Sequence, residues 1–89
     1  MTNQVESLSV GGAPREHERV VLTGPVPADG LVAGDVGTVV HVYPGAAAFE
    51  VEFLRLDGST AAVATVEAGA LRRPLINEIT SARDFERPV

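Results

Sequence analysis

The chain has 89 residues, and typical domains run to about 100–150 residues, so it makes one domain at most. Without a single Cys it has neither a disulfide framework nor a thiolate zinc site, and seven basic against twelve acidic residues leave a net charge of −5. That balance opposes generic binding to a phosphate backbone.

Hydrophobic residues make up 45% of the chain and aromatic residues only 4%, so the core has to be aliphatic and tightly fitted. No apolar run approaches the roughly 18 residues of a membrane span, and no basic stretch leads into an apolar one at the N-terminus. A cytoplasmic location is expected. All seven basic residues are Arg, a bias that a GC-rich genome produces without selection for function.

Residues 1–18 are polar, carry Gly11-Gly12 and Pro14, and show no sustained period, which predicts a flexible leader. Val20-Val21-Leu22 reads as a short strand closed by Gly24-Pro25 and Pro27. The twelve residues 24–35 hold three Gly and two Pro. A connection of that length inside a small domain points to a binding or lid segment.

Val36 to Tyr43 is rich in β-formers and ends at Pro44-Gly45. Phe49-Glu50-Val51-Glu52-Phe53 alternates strictly, so Phe49, Val51 and Phe53 should face a core and both glutamates should face water. Asp57-Gly58 signals a hairpin turn with positive φ at its central residues, and Ser59 to Val66 reads as the returning strand. Glu67-Ala68-Gly69 fits one tight helical turn, and Leu71-Arg72-Arg73 a closing strand before Pro74. Five short strands within residues 19–74 predict an all-β fold, a small closed five-stranded barrel rather than a sandwich, which needs about seven strands. For residues 75–89 a frayed terminus, a segment docked along the barrel, and one that orders on a partner all remain open.

The chemistry-bearing residues are sparse. His17 and His41 are the only histidines, too few for a zinc site, and no cofactor is expected. Glu50 and Glu52 lie about 6.5–7 Å apart on one strand face, a separation that a solvated face produces routinely. No Ser or Thr sits in a nucleophile-elbow sequence. Gly34-Asp35-Val36-Gly37 enters a strand and not a helix, so it is no phosphate loop. Its glycines fit positions of positive φ or close backbone approach, and Asp35 fits a turn acceptor. Arg72-Arg73 is the only adjacent basic pair, and residues 19–73 carry four Arg against six acids, which makes nucleic acid an unfavourable partner.

The run from Ala33 to Gly45, with Gly34-Asp35-Val36-Gly37-Thr38-Val39-Val40 at its head, is followed by Phe49–Phe53 and Asp57-Gly58. It resembles SH3-like barrels that open a strand with G-D-x-G-x-V. KOW-type modules of ribosome- and transcription-associated proteins and the β subunit of nitrile hydratase share that wording. The chain most resembles a small bacterial family of uncharacterised stand-alone domains with this core and a later L-R-P, here Leu71-Arg72 with Pro74 one residue on. The likeness covers residues 19–74.

It implies partner binding through the loops at one end and the groove beside the first long loop, which points to Pro25, Val26, Pro27, Asp29 and Leu31, with Tyr43. The basic residues by which KOW modules hold RNA are not matched here, and neither are metal ligands. The expectation is therefore a non-enzymatic protein–protein interaction module, with Arg72 and Arg73 as further contact candidates. An antitoxin- or immunity-type protein encoded beside its target is one form of it. A KOW-like RNA contact and an accessory subunit or assembly factor of an enzyme are the alternatives. The partner would be another protein, with no membrane involved and homo-oligomerisation open.

Overall fold

The computed structural model describes residues 12–87, so the expected leader falls outside the described residues over 1–11. Five strands follow in order: β1 (Arg19–Leu22), β2 (Val36–Val42), β3 (Ala48–Leu54), β4 (Thr60–Glu67) and β5 (Leu71–Arg72). Short 3-10 turns at Pro27–Asp29, Pro44–Ala46 and Ala68–Ala70 lie between them. The all-β reading holds, and each strand lies within a residue or two of its expected place. One antiparallel sheet runs in the order β4-β3-β2-β1-β5.

The sheet curls into a barrel-like form but is not closed, because its end strands β4 and β5 do not pair with each other. Two residues are too few to make β5 a full ladder, and it bonds only to Val21 and Leu22 of β1. The 3-10 turn before it carries the chain across the gap, with the Thr23 N–H donating to the Ala70 carbonyl at 2.9 Å.

The alternation in β3 does what its period requires. Phe49, Val51 and Phe53 are buried, whereas Glu50 and Glu52 face outward, where Thr65 and Thr60 of β4 donate to their carboxylates. Val20, Leu22, Leu31, Val39, Ala62, Ala64, Val66 and Leu71 complete the core. Each large aliphatic or aromatic side chain so buried contributes about 1.5–3 kcal/mol.

Two details depart from the simplest reading of the sequence. The pairing of β2 with β3 slips at Val40, so Val39 is buried, Val40 and His41 turn out to water, and Val42 packs back against the core. A strict two-residue period cannot place both Val39 and Val42 inward, and the bulge supplies the missing step. At the β3–β4 hairpin only Gly58 has positive φ, at 91°, and Asp57 does not. A type I′ turn would need both. The Asp57 carboxylate instead accepts from the Ser59 N–H and hydroxyl, and its pKa is lowered chiefly by that backbone hydrogen bond.

The sheet also reaches further toward the N-terminus than its period suggests. The His17 N–H donates to the Val39 carbonyl, and the Val39 N–H to the Glu18 carbonyl.

Candidate functional site

The long loop between β1 and β2 is itself folded. Its base is a continuation of the β1–β2 ladder: the Leu22 N–H donates to Asp35 and the Gly34 N–H to Leu22. Gly34 has a φ of 94° there, a value that costs glycine nothing. Higher up, Val26 and Leu31 form an isolated bridge across the 3-10 turn at Pro27–Asp29. Leu31 drops into the core and is only 2% exposed.

That placement corrects one candidate contact. Leu31 anchors the loop from inside and, at 2% exposed, offers a partner only a sliver of the groove floor. Val26 also packs partly on the core, while Pro25 and Pro27 are exposed. Tyr43 is half-buried at the end of β2, its ring edge-on to His41 at a centroid distance of 4.8 Å.

Asp35 stands at the foot of the loop. Its carboxylate accepts from the Val32 N–H at 2.9 Å, the turn role its sequence context suggests. It does a second thing as well. Arg83, 48 residues away in sequence, grips it with two donors, Nε at 2.9 Å and a terminal nitrogen at 2.5 Å, and the same nitrogen reaches the Gly30 carbonyl at 3.2 Å. Partial burial works against ionisation of Asp35. The bonds from Arg83 and the Val32 N–H, with the charge of Arg83, outweigh it and hold the pKa below the usual carboxylate value.

From Arg83 the tail runs on as an extended strip. Phe85 packs partly buried against the core cluster, and the guanidinium groups of Arg55 and Arg83 lie 5.8 and 5.9 Å from its ring centroid. Such contacts fall within cation–π reach. Arg55 is held for this by the Thr60 carbonyl and the Ser59 hydroxyl. At the end of the strip Arg87 approaches Asp29 at 3.8 Å. Arg83, Phe85 and Arg87 thus lay this stretch of the tail against the sheet and the long loop.

A groove thus runs between the foot of the long loop and the β3–β4 hairpin. Its walls include Leu31, Asp35, Phe53 and Leu56, and the tail from Thr80 to Phe85 forms its far side. About 180 Å³ between tail and sheet stays open. A second, more apolar cavity of about 410 Å³ lies at the other side of the barrel, lined by Pro14, Phe49, Leu71, Arg73 and Leu75 among others.

The remaining candidates, Arg72 and Arg73, meet acids of their own chain. Arg72 makes two bonds to Glu78, at 2.9 and 2.7 Å. Arg73 pairs with Glu18 at 2.9 Å and reaches the carbonyls of Gly12 and Ala13. The Arg72 contact, aided by the Leu75 N–H, holds the Glu78 carboxyl down at about 2 against an ordinary 4.5.

A carboxyl lowered on folding stabilises the fold above its unfolded pKa and loses that contribution as pH falls through the folded value. The stability that the Arg72–Glu78 tether contributes should therefore be full at pH 5 and fall away between about 4.5 and 2, the tether itself opening only as the carboxylate protonates near 2. A carboxyl-detected NMR titration should give Glu78 a midpoint near 2, raised toward the ordinary carboxylate range by Arg72→Ala, with the Leu75 N–H still holding it somewhat down. An ordinary midpoint in the unaltered protein would contradict the pairing.

Sequence reasoning found Asp35 as a turn residue but missed its arginine partner, and it missed Arg55, Arg83 and Phe85 altogether. The one available signal was Phe85 itself, one of only four aromatic residues in the chain, set between Arg83 and Arg87.

Among the described residues no three His, Cys, Asp or Glu gather as a metal site, and no helix is long and apolar enough to cross a membrane. A family model described as "Domain of unknown function (DUF4926)" matches residues 16–73, from just before β1 to just after β5. Neither the curated proteins nor the solved structures give a match.

Proposed function

We propose, for a chain that belongs to the DUF4926 family, that it is a non-enzymatic protein-recognition module built on an SH3-like barrel. The long loop after β1, the β2–β3–β4 meander and the 3-10 turn before a short last strand support the SH3-like reading. The observation that carries the functional reading is the tail itself. An extended strip with no regular structure lies against the groove beside the long loop, held by a charged anchor and a ring. A surface that accommodates such a strip from its own chain has the shape and chemistry to take one from another protein.

The charge of −5 favours a basic partner, since complementary charge speeds encounter and steers orientation. Such a partner fits an antitoxin- or immunity-type role, with the two genes side by side. The RNA-contact alternative draws less support, because Arg72 and Arg73 are already satisfied by Glu78 and Glu18.

The test is co-expression of the tagged full-length protein with the products of its flanking genes. A stoichiometric complex that weakens as salt is raised is the expected result. Recovery of this chain alone in every combination would overturn the proposal.

A further inference from the structure

Resting on the protein-recognition reading above, we infer that the groove between the long loop and the β3–β4 hairpin recognises an extended segment carrying arginine two residues before an aromatic residue. Arg83 and Phe85 of the chain's own tail occupy the site as a stand-in ligand, and a matching segment of a partner protein displaces them.

Three observations carry this. The anchor is specific: Asp35 is fixed by the Val32 N–H and presents both carboxylate oxygens to one guanidinium, a paired geometry that suits arginine and not lysine. The aromatic position is equally defined, with Phe85 packed on the core cluster beneath the Arg55 guanidinium.

The own tail, however, fits loosely. A groove of about 180 Å³, open to solvent, is left unfilled beside it. Leu56 on the groove wall remains 90% exposed. A ligand that fills that space and covers Leu56 gains contact which the tail does not make. The groove-forming residues Leu31 to Ala61 also lie inside the span matched by the family model, which ends at residue 73, whereas Arg83 and Phe85 lie beyond it.

The tail competes at an effective concentration in the millimolar range for a short tether, so it masks the groove against weak ligands and yields to a better-fitting one. The probe is a fluorescent peptide of residues 79–87, titrated into the full-length protein and followed by anisotropy. The double variant Arg83→Ala/Phe85→Ala, whose groove is vacated, should bind it at least tenfold more tightly than the unaltered protein. A peptide carrying the same two substitutions should not bind the vacated groove. Asp35→Asn added to the double variant should weaken binding several-fold, because the arginine of the peptide loses its charged anchor. Leu56→Asp, at an exposed position that the tail does not cover, should leave this peptide's binding unchanged and weaken only the binding of a partner that covers the groove wall, with folding checked by circular dichroism.

Equal binding by both proteins, or equal binding of both peptides, would overturn the assignment. So would a dimer of the unaltered protein that the double variant abolishes, since the occupant would then be a second copy of the tail. A flanking-gene product that co-purifies undiminished with the Leu56→Asp protein would leave the recognition function standing and remove only this groove from it.

Discussion

Gly37→Ala is expected to be among the most damaging single-methyl additions the chain can receive. Gly37 is buried in β2, opposite Val20, and a Cβ there would sit 2.5 Å from Val51 Cγ1, 2.8 Å from Phe53 Cε2 and 2.9 Å from the Glu52 carbonyl oxygen. The two side chains belong to the core and the carbonyl to the backbone of the neighbouring strand, so none of them can yield cheaply. Overpacking of this kind costs about 1–3 kcal/mol and at times more.

With backbone among the obstacles we expect the upper end, about 3 kcal/mol. A domain this small loses about 4–8 °C of melting temperature per kcal/mol, so the midpoint should fall by about 12–24 °C. Gly69→Ala, where a Cβ meets nothing within 4 Å, should leave the midpoint nearly unchanged. Thermal unfolding of both by circular dichroism makes the comparison, and similar midpoints would show that β2 and β3 do not approach as described.

Phe49→Ala should remove about 3–5 kcal/mol. Phe49 is the largest of the fully buried side chains, 0% exposed, in a strand paired on both sides. No other ring stands ready to fill its place, since Phe53 and Phe85 pack at other positions and Tyr43 lies outside the core cluster. Total stability in a small domain amounts to roughly 0.05–0.15 kcal/mol per residue, so this loss should remove a large share of the whole. Urea unfolding followed by tyrosine fluorescence and far-UV dichroism gives the value. Leu54→Ala, on the same strand but 53% exposed, should cost well under 1 kcal/mol. A Phe49→Ala protein as stable as that control would refute the placement of the core.

What could be foreseen followed from local physics. The alternation of Phe49 to Phe53 fixes a strand, its inward face and its outward glutamates from five residues alone. The glycines of Gly34-Asp35-Val36-Gly37 serve the two needs that sequence suggested for them, one each: positive φ at Gly34 and close approach at Gly37.

What was hidden depends on partners distant in the chain. Nothing near Leu31 marks it as the one residue of a Gly- and Pro-rich loop that enters the core. Nothing near Asp35 announces Arg83. The groove exists because three segments far apart in sequence converge, and a period of two residues carries no record of that convergence. The outward turn of Val40 is hidden for a related reason, since a slip in register is decided by both strands together and not by either one.

The short β5 has a consequence for how the two ends of the sheet respond to their surroundings. At the β4 end the sheet is finished by a full eight-residue strand paired along β3. At the β5 end two residues of pairing are supplemented by the clasps of Arg72 on Glu78, open to water, and Arg73 on Glu18, part-buried. Ionic contacts of this sort fade with dissolved salt and with acid, whereas apolar contact and backbone pairing barely register either. The molecule is accordingly fastened by different forces at its two margins. Solvent conditions that leave the β2–β3–β4 meander untouched loosen the place where the tail departs, and with it the leash on which Arg83 and Phe85 reach their groove.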